Sequence, residues 1–369
     1  MDWDDILKYI DNDNQDWSID KIYNKIKNFS EYYIFGAGSA GEITLSLLKS
    51  NLNNKLVGFI DNDVKKHGKT LFEKEIFSLK EIDKKSCIVI ASTWGKEIEK
   101  QLSIEGYENY IHFPVDLIEW DQGKTRRVLE DGKSIIKLNK LYDLLEDTDS
   151  KKILINSLLY RITNGEVTIP KSSFSQYIHP AINKGKVKSI VDAGAYTGDC
   201  FKLFAESFDK LNRIYAFEPT YDNYLKLVDY HKLENFNFDL TPKNVGLWSS
   251  NKRLNFAVSE VNGGNNKISD DLSNSDFVDV IALDEYICRN SIDLIKMDIE
   301  GSEIEALRGS EKVIKGNIPV LAICIYHNIE HYWQVIELLE DWGILDRYKF
   351  YLGHHSVWML ETVLYAVPR

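Results

Sequence analysis

The sequence predicts an α/β protein built from two Rossmann-like units. Two blocks of the chain alternate short apolar runs with segments of helical periodicity, and each block carries a glycine-rich turn, at residues 36–41 and 194–198. Repeated β-α units with apolar strands are typical of a parallel sheet covered by helices on both faces. We therefore expect a smaller Rossmann-like domain over residues 1–118, a helical connector over 119–175 and a second α/β domain over 176–369.

Composition narrows the classes of function. Of the 369 residues, 44% are hydrophobic and 28% are charged, which is ordinary for a globular protein. The formal net charge of −12 argues against general binding to nucleic acid or to an anionic membrane, because both would repel the chain. The acidic start lacks the features of a signal peptide, and apolar runs such as residues 319–326 are too short to span a bilayer. The four scattered cysteines form no C-x-x-C pair, so we expect buried free thiols and a cytoplasmic location.

The first block contains four candidate strands and two candidate helices. Its strands are predicted at YYIF, KLVGFIDND, SCIVIAST and NYIHF, and its helices at SAGEITLSLLKSN and WGKEIEKQLSIEG. Gly106 is expected to end the second helix, because glycine readily adopts the left-handed conformation that closes a helix.

The glycine turn of the first block has the G-x-G-x-x-G spacing of a dinucleotide-binding loop. Asp61 ends the next predicted strand about 20 residues beyond Gly41, where a ribose-binding carboxylate would lie. The candidate nucleotide-binding residues are Gly36, Gly38, Ser39, Gly41, Asp61 and Asp63. A nucleotide or nucleotide sugar, NAD for a redox reaction, and a purely structural turn all remain open.

Residues 119–175 combine helical spacing of apolar residues with many charges, which predicts connecting helices. A spacer, a lid and a dimerisation element are equally compatible with this pattern, so a homo-oligomer is left open.

The second block repeats the β-α pattern and closes without a helix. Strands are predicted at SIVDAG, RIYAFEP, KNVGLWS, IDLIKMDIEG, PVLAICIYH, YKFYLGHH and MLETVLYAV. Helices are predicted at DCFKLFAESFDKL, TYDNYLKLVDYHKL, residues 302–315 and EHYWQVIELLEDWG. The last two strands are expected to form a terminal hairpin.

The second glycine turn differs from the first and suits S-adenosylmethionine. Asp192, Gly194 and Gly198 give D-x-G-x-x-x-G, and Glu218 with Pro219 closes the next strand. S-adenosylmethionine has no pyrophosphate, so small residues admit its amino-acid part while an acceptor-only carboxylate takes the ribose hydroxyls. The candidate cofactor-binding residues are Asp192, Gly194, Ala195, Tyr196, Gly198, Glu218, Pro219, Asn244 and Asp298.

Several segments of the second block occur together in one family. These are QYIHP, VDAGAYTGD, AFEP, IALDEY, IDLIKMDIEGSEIEALRG, ICIYH and ETVLYAV. With them, residues 174–369 resemble FkbM-type methyltransferases. The resemblance implies the seven-stranded class I methyltransferase sheet and S-adenosylmethionine as cofactor. Many such proteins are similar to O-methyltransferases of bacterial surface glycans and secondary metabolites, and we expect O-methyl transfer to a sugar or glycan of surface polysaccharide biosynthesis.

The segment GFIDND carries a second resemblance. The first block is similar to the small Rossmann-like domains that precede bacterial sugar-modifying enzymes, where this segment lies near a nucleotide-sugar pocket. A nucleotide sugar is therefore implied as a partner of the N-terminal domain.

Candidate catalytic residues lie at the predicted carboxyl ends of strands, where ligands bind in open α/β sheets. His327 is the preferred general base, because an imidazole can accept a proton near neutral pH, and Asp298 and Glu300 complete the catalytic set. No resident metal is predicted, although these carboxylates and histidine would permit a divalent ion.

Candidate substrate residues are fewer. The resemblance places Tyr177 and His179 at the cofactor or acceptor entrance, and His355 could belong to the acceptor pocket or to the terminal hairpin. The polar segment 251–275 could be an acceptor loop or a surface loop.

Two rival functions remain. One is an NAD-dependent oxidoreductase that uses the first glycine turn, and the other is a non-catalytic nucleotide-sugar-binding protein. The first lacks a recognisable hydride-transfer group, and the intact D-x-G, E-P and D-x-E-G segments argue against the second.

Overall fold

The computed structural model describes residues 19–52, 55–92, 94–115, 121, 124–163, 165, 167–257, 267–268, 277–287 and 291–369. The chain forms two compact units. One includes Arg127–Leu158 and Thr168–Arg369, and the other includes the described residues of 7–126 together with Leu159–Val167. None of the described helices is long and apolar enough to cross a membrane. The domain limits 1–118, 119–175 and 176–369 stay a prediction.

The smaller unit is built on a six-stranded sheet. Its strands are β1 (Tyr32–Phe35), β2 (Leu56–Ile60), β3 (Thr70–Leu71), β4 (Lys74–Phe77), β5 (Cys87–Ile90) and β6 (Tyr110–His112), and its first helices are α1 (Ile19–Lys27), α2 (Ser39–Leu52) and α3 (Gly95–Glu105). The order across the sheet is β3-β4-β2-β1-β5-β6, and only the β3–β4 pair is antiparallel. All four residues of β5 are buried, as expected for a parallel strand covered on both faces.

The β3–β4 hairpin was not predicted from the sequence. Its two-residue loop, Phe72 and Glu73, has positive φ at both positions, +49° and +63°. Such a loop normally contains Asn-Gly or Asp-Gly, and Phe-Glu gives no turn signal.

The described residues of 119–175 form three helices: α4 (Lys124–Glu130), α5 (Gly132–Leu144) and α6 (Thr148–Ile162). Within the larger unit, Lys137 of α5 pairs with Glu337 at 2.8 Å, and Lys140 pairs with Glu340. Within the smaller unit, Arg161 forms a buried ion pair with Asp121 at 3.1 Å.

The larger unit contains a seven-stranded sheet. Its strands are β7 (Ser189–Ala193), β8 (Arg213–Phe217), β9 (Asp239–Lys243), β14 (Leu294–Met297), β15 (Val320–Cys324), β16 (Tyr348–His354) and β17 (Thr362–Pro368). Its helices are α7 (Phe201–Ser207), α8 (Tyr221–Glu234), α9 (Leu283–Tyr286), α10 (Glu303–Arg308), α11 (Glu311–Asn317) and α12 (His331–Asp341). The order is β16-β17-β15-β14-β7-β8-β9. The predicted seven-stranded sheet with its antiparallel closing hairpin is confirmed.

The strand order reverses between β7 and β14. From β7 the chain proceeds outward through β8 and β9, and it then returns to pair β14 with the other side of β7. A crevice forms outside the carboxyl ends of parallel strands at such a switch point, and ligands bind there. The candidate cofactor and catalytic residues follow these strand ends.

Two element predictions for this unit were wrong. The third strand was expected at KNVGLWS, but the third strand of the main sheet is β9, and Gly246–Leu247 belongs to a smaller sheet. β9 lies at the edge of the sheet, where proline and polar residues are tolerated. Its sequence, DLTPK, therefore lacks the apolar pattern of a buried strand. The single helix over 302–315 is interrupted at Gly309, where a Cβ would lie 2.0 Å from the carbonyl oxygen of Trp248.

The smaller sheet of this unit has four strands: β10 (Gly246–Leu247), β11 (Lys252–Ala257), β12 (Lys267–Ile268) and β13 (Phe277–Ile281), in the order β10-β13-β11-β12. Of the segment predicted as an acceptor loop, 251–275, only residues 251–257 and 267–268 are described. The rest of that prediction lies outside the described residues.

Candidate functional site

A cavity of about 340 Å³ lies at the carboxyl ends of β7, β8 and β14 in the larger unit. One wall is apolar and comes from Phe217, Leu247, Val278 and Val280. The acidic and basic lining residues are Asp199, Glu218, Lys296, Asp298, Glu300 and Glu361. The cavity therefore combines an apolar wall with a strongly acidic lining.

The turn after β7 brings two strand ends into close contact. Gly194 has φ +72°, and a Cβ there would lie 1.9 Å from the carbonyl oxygen of Asp298. The backbone N–H of Asp298 donates to the carbonyl of Ala193 at 3.1 Å. Glycine is therefore required at position 194 both for its conformation and for the approach of the β14 end.

Asp192 is fully buried and does not line the cavity. Lys296 lies 2.9 Å from its carboxylate and donates to the carbonyl of Gly194 at 2.6 Å. Burial raises the pKa of Asp192, and the Lys296 ammonium partly opposes that shift. The Asp192–Lys296 pair thus supports the glycine turn, and the buried Asp192 carboxylate is not exposed to a ligand in the cavity.

Glu218 projects from the end of β8 into the cavity and is held by the backbone. Its Oε2 accepts from the N–H of Tyr196 at 2.9 Å, and its Oε1 accepts from the N–H of Thr220 at 2.8 Å. Burial raises the pKa of this carboxyl, while the donated hydrogen bonds lower it. The side chains of Thr220 and Asn223 also donate to this carboxylate, so hydroxyls of a ligand would join or replace these internal donors.

Two buried tyrosines fix Asp298 at the end of β14. Tyr177 Oη donates to Oδ2 at 2.8 Å, and Tyr326 Oη donates to Oδ1 at 2.9 Å. Burial raises the pKa of both phenols well above its usual value, so both remain donors. Asp298 is therefore oriented rigidly, with both oxygens already engaged.

His327 lies behind this carboxylate between two glutamates. Its Nδ1 is 2.9 Å from Glu303, its Nε2 is 3.4 Å from Glu300, and its side chain has no exposed surface. Burial lowers the pKa of His327, but Glu303 and Glu300 outweigh it and raise the value to about 10. The ring is therefore an imidazolium at neutral pH, which disfavours the predicted role as a general base in this form.

Glu303 is the buried centre of this arrangement. Besides His327 it contacts His331 at 3.3 Å, and it accepts from the N–H of Ile299 at 2.9 Å. Burial raises the pKa of Glu303, but His327 and His331 lower it more strongly. Glu303 therefore remains a carboxylate that fixes the loop between β14 and α10.

Asp298, Glu303 and His327 offer ligand atoms within 4.8 Å of one another. Glu303 is 2.9 Å from Nδ1 of the ring, whereas Asp298 is 3.7 Å from Nε2. The spacing of these three ligand atoms is compatible with a divalent ion, which could bind only one of the two ring nitrogens.

Backbone strain is concentrated at the cavity. Eight described residues other than glycine have positive φ, and four of them line the cavity: Tyr177 (+68°), Tyr196 (+46°), Glu300 (+55°) and Glu361 (+61°). Such conformations each cost on the order of 1–3 kcal/mol and collect at functional sites. Their grouping here makes this cavity the candidate functional site of the larger unit.

The structure brings most of the predicted cofactor and catalytic residues to one place. Gly194, Tyr196, Glu218, Pro219, Asp298 and Glu300 line the cavity. The cavity lining does not include Ala195, Gly198, Asn244 or His327. The amide of Asn244 donates to the carbonyls of Glu218 and Pro219, both at 2.9 Å, so it positions the Glu218 loop.

The three predicted substrate residues lie in two different places. Tyr177 lines the cavity, whereas His179 and His355 are buried in an aromatic cluster. His179 stacks on Tyr351 with ring centroids 4.4 Å apart, and His355 Nε2 lies 3.2 Å from Tyr365 Oη. The structure therefore does not place either histidine at the cavity.

Sequence reasoning missed several lining residues, among them Asp199, Lys296, Tyr326 and Glu361. Lys296 had a detectable signal, because a charged residue within a buried apolar strand needs a charged partner and Asp192 occupies the matching position of β7. Glu361 had no such signal, since its position depends on the turn that precedes β17.

In the smaller unit, the first glycine turn lies at the end of β1 as predicted. A Cβ on Gly36 would lie 2.1 Å from the carbonyl oxygen of Ala91, and one on Gly41 would lie 1.9 Å from that of Gly36. A Cβ on Gly38 would meet nothing within 4 Å. Packing therefore explains Gly36 and Gly41 but not Gly38.

Asp61 closes this turn from the end of β2. Its Oδ2 accepts from the N–H of Ala37 at 3.0 Å and pairs with Lys66 at 2.8 Å. Burial raises the pKa of Asp61, but Lys66 and the donated backbone hydrogen bonds lower it overall. Asp63 stands beside it and donates its N–H to Asp61 Oδ1 at 2.8 Å. The carboxylate lies where a ribose-binding group was predicted, with internal partners already in place.

Two family models match the chain. Residues 192–348 match the model of the methyltransferase FkbM domain, and residues 29–111 match the model of the C2185-like N-terminal domain. No curated protein matches the chain by sequence.

Solved structures are similar to the whole chain or to part of it. A methyltransferase FkbM from Methylobacillus flagellatus KT superimposes with a TM-score of 0.73 at 20% identity, over 98% of each chain. An rRNA methylase from Streptococcus thermophilus has a TM-score of 0.33 at 16% identity, over 54% of this chain and 99% of its own. A precorrin-6y C5,15-methyltransferase from Geobacter metallireducens GS-15 has a TM-score of 0.30 at 13% identity, over 53% and 94%. At 20% identity, the first of these similarities shows the class I methyltransferase fold alone.

Proposed function

We propose that the FkbM methyltransferase domain carried by residues 192–348 transfers a methyl group from S-adenosylmethionine to a hydroxyl oxygen of a sugar or glycan intermediate. The observation that carries this proposal is the acidic cavity at the strand switch point, into which Glu218 projects with both oxygens fixed by backbone N–H groups.

The lining residues fit S-adenosylmethionine. Glu218 would accept the two ribose hydroxyls, the apolar wall would cover the adenine, and the turn at Gly194 and Tyr196 would admit the methionine part. Five lining residues are carboxylic acids, and the one lining ammonium, Lys296, is already paired with Asp192. This excess of negative charge favours a cationic sulfonium, which supplies an activated methyl group when bound.

The chain's own contribution is positioning and desolvation. Tyr177 and Tyr326 fix Asp298 beside the cavity, and the Glu303–His327 pair fixes the loop that carries Glu300. Holding the acceptor oxygen in line with the bond to be broken supplies roughly 7–11 kcal/mol of the lowering of the barrier. The imidazolium of His327 contributes charge to this region and holds its proton at neutral pH.

A sugar hydroxyl as acceptor, and a role in surface polysaccharide biosynthesis, rest on the family resemblance. The N-terminal unit would bind a nucleotide-linked partner at its first glycine turn, where nothing in the packing requires Gly38 to be glycine. We expect this reaction to take place in the cytoplasm, where S-adenosylmethionine and nucleotide sugars are made. No feature of the site favours hydride transfer.

Transfer of an isotopically labelled methyl group tests the proposal. The protein is incubated with labelled S-adenosylmethionine and a panel of nucleotide sugars, and products are identified by mass spectrometry. We expect one O-methylated sugar and stoichiometric S-adenosylhomocysteine. Calorimetric binding of NAD without binding of S-adenosylmethionine would contradict the proposal.

A further inference from the structure

Three carboxylates line the cavity on the side of β14 and β17, and they differ in their partners. Asp298 accepts a hydrogen bond at each oxygen, from Tyr177 and Tyr326. Glu300 lies 3.4 Å from the charged ring of His327. Each of these two carboxylates therefore already has a hydrogen-bonding or charged partner within the protein.

Glu361, the third carboxylate, is different. Among the described residues, none donates a hydrogen bond or forms an ion pair with its side chain. It is partly buried, lines the cavity next to Leu360, and directly precedes β17. Its acceptor capacity is therefore available to a ligand.

Glu361 has a left-handed backbone conformation, which glycine adopts more readily than glutamate does. Its φ is +61°, and its carbonyl accepts from the N–H of His355 at 3.2 Å across the terminal hairpin. Left-handed backbone is uncommon for a glutamate and marks a position whose side-chain direction is imposed by the fold.

We propose that Glu361 is the general base that removes the proton from the acceptor hydroxyl. This inference rests on the proposed methyl transfer. The hydroxyl O–H bond breaks and its proton passes to the Glu361 carboxylate, while the oxygen forms a bond to the methyl carbon. The bond between that carbon and sulfur breaks with its electron pair left on sulfur. The products are a methyl ether, a neutral thioether and a protonated Glu361, which returns its proton to water.

The electrostatic surroundings suit this role. Burial and the neighbouring charge of Asp298 raise the pKa of Glu361, and the Lys171 ammonium lowers it less. Glu300 and the His327 imidazolium lie 3.4 Å apart on the loops that follow β14 and β15. Burial and the charges of Asp298 and Glu303 raise the pKa of Glu300 as well, and His327 opposes that shift. A carboxylate with a raised pKa is a better proton acceptor than an ordinary one, so activity should increase as the pH rises through that value.

The Glu361→Gln variant tests the inference, with Glu206→Gln at an exposed position of α7 as the matched control. We expect Glu361→Gln to bind S-adenosylmethionine within about twofold of wild type and to lose about 100-fold or more of the transfer rate. The rising limb of the pH–rate profile should disappear in this variant, and Glu361→Asp should restore part of both. A wild-type rate, or a loss of cofactor affinity that accounts for the lost rate, would overturn the assignment.

A second measurement does not depend on the acceptor. In the protein labelled with ¹³C at glutamate carboxyls and saturated with S-adenosylmethionine, the signal absent from Glu361→Gln identifies this residue. A pKa above the usual glutamate value supports the base role, and an ordinary or lowered one refutes it. Failure of the wild type to bind S-adenosylmethionine would instead remove the proposed function, and this inference with it.

Discussion

Glu303 shows how one buried residue organises the site. It neutralises His327, contacts His331 and accepts a backbone hydrogen bond from the loop that presents Asp298 and Glu300. Its carboxylate is buried completely, so its charge is tolerable only because these donors surround it.

The Glu303→Gln variant should therefore be strongly destabilised. It leaves the positive charge of His327 buried without its main partner, and breaking such a pair costs about 3–5 kcal/mol. Urea denaturation of this variant and of Glu206→Gln measures the difference. A loss equal to that of the control would show that the pair contributes no net stability.

At the scale of elements, the glycines of the first turn in the smaller unit differ in whether packing requires them. Gly41 touches the backbone of Gly36, whereas Gly38 faces open space. Gly41→Ala should lower the melting temperature because its Cβ would overlap a carbonyl oxygen. Gly38→Ala should leave the melting temperature unchanged and weaken nucleotide-sugar binding, measured by calorimetry. Equal binding in Gly38→Ala and wild type would argue for a structural turn.

A comparison of the strands shows which sequence patterns were sufficient to predict a strand. β1, β5, β7 and β15 are apolar runs between glycine or polar turns, and each was predicted in place because burial on both faces demands such composition. β9 was missed because an edge strand tolerates polar residues and proline.

The site residues also differ in whether the sequence alone could locate them and predict their state. Glu218, Asp298 and Glu300 could be located because they end predicted strands. His327 could also be located, but its charge could not, since that depends on Glu303 and Glu300 approaching from another segment. The packing of His179 and His355 against aromatic rings likewise depends on contacts between distant segments.

At the scale of the whole molecule, buried histidines should set the pH range of stability. Burial lowers the pKa of His179 and of His355 to about 4 and that of His354 to about 3. The unfolded chain binds these protons below about pH 6.5 while the folded chain does not, so stability should fall as the pH decreases from about 6.5 to 4.

His327 has the opposite effect on how stability depends on pH. Its pKa is raised to about 10, so the stability that it contributes is complete below about pH 6.5 and is lost as the pH rises through about 10. Thermal unfolding from pH 4 to 10 should therefore show a maximum between these limits. A melting temperature that stays constant from pH 6.5 to 4 would contradict the assignment of three buried neutral histidines.

Calorimetric titration with S-adenosylmethionine tests the central claim most directly. We expect one molecule to bind per chain, and Glu218→Gln to weaken that binding by about 10-fold or more, because it removes a charged acceptor from the ribose hydroxyls. Glu234→Gln, at an exposed position of α8, should bind as wild type does. Absence of binding, or equal affinity in Glu218→Gln and wild type, would contradict the assignment of this cavity to the methyl donor.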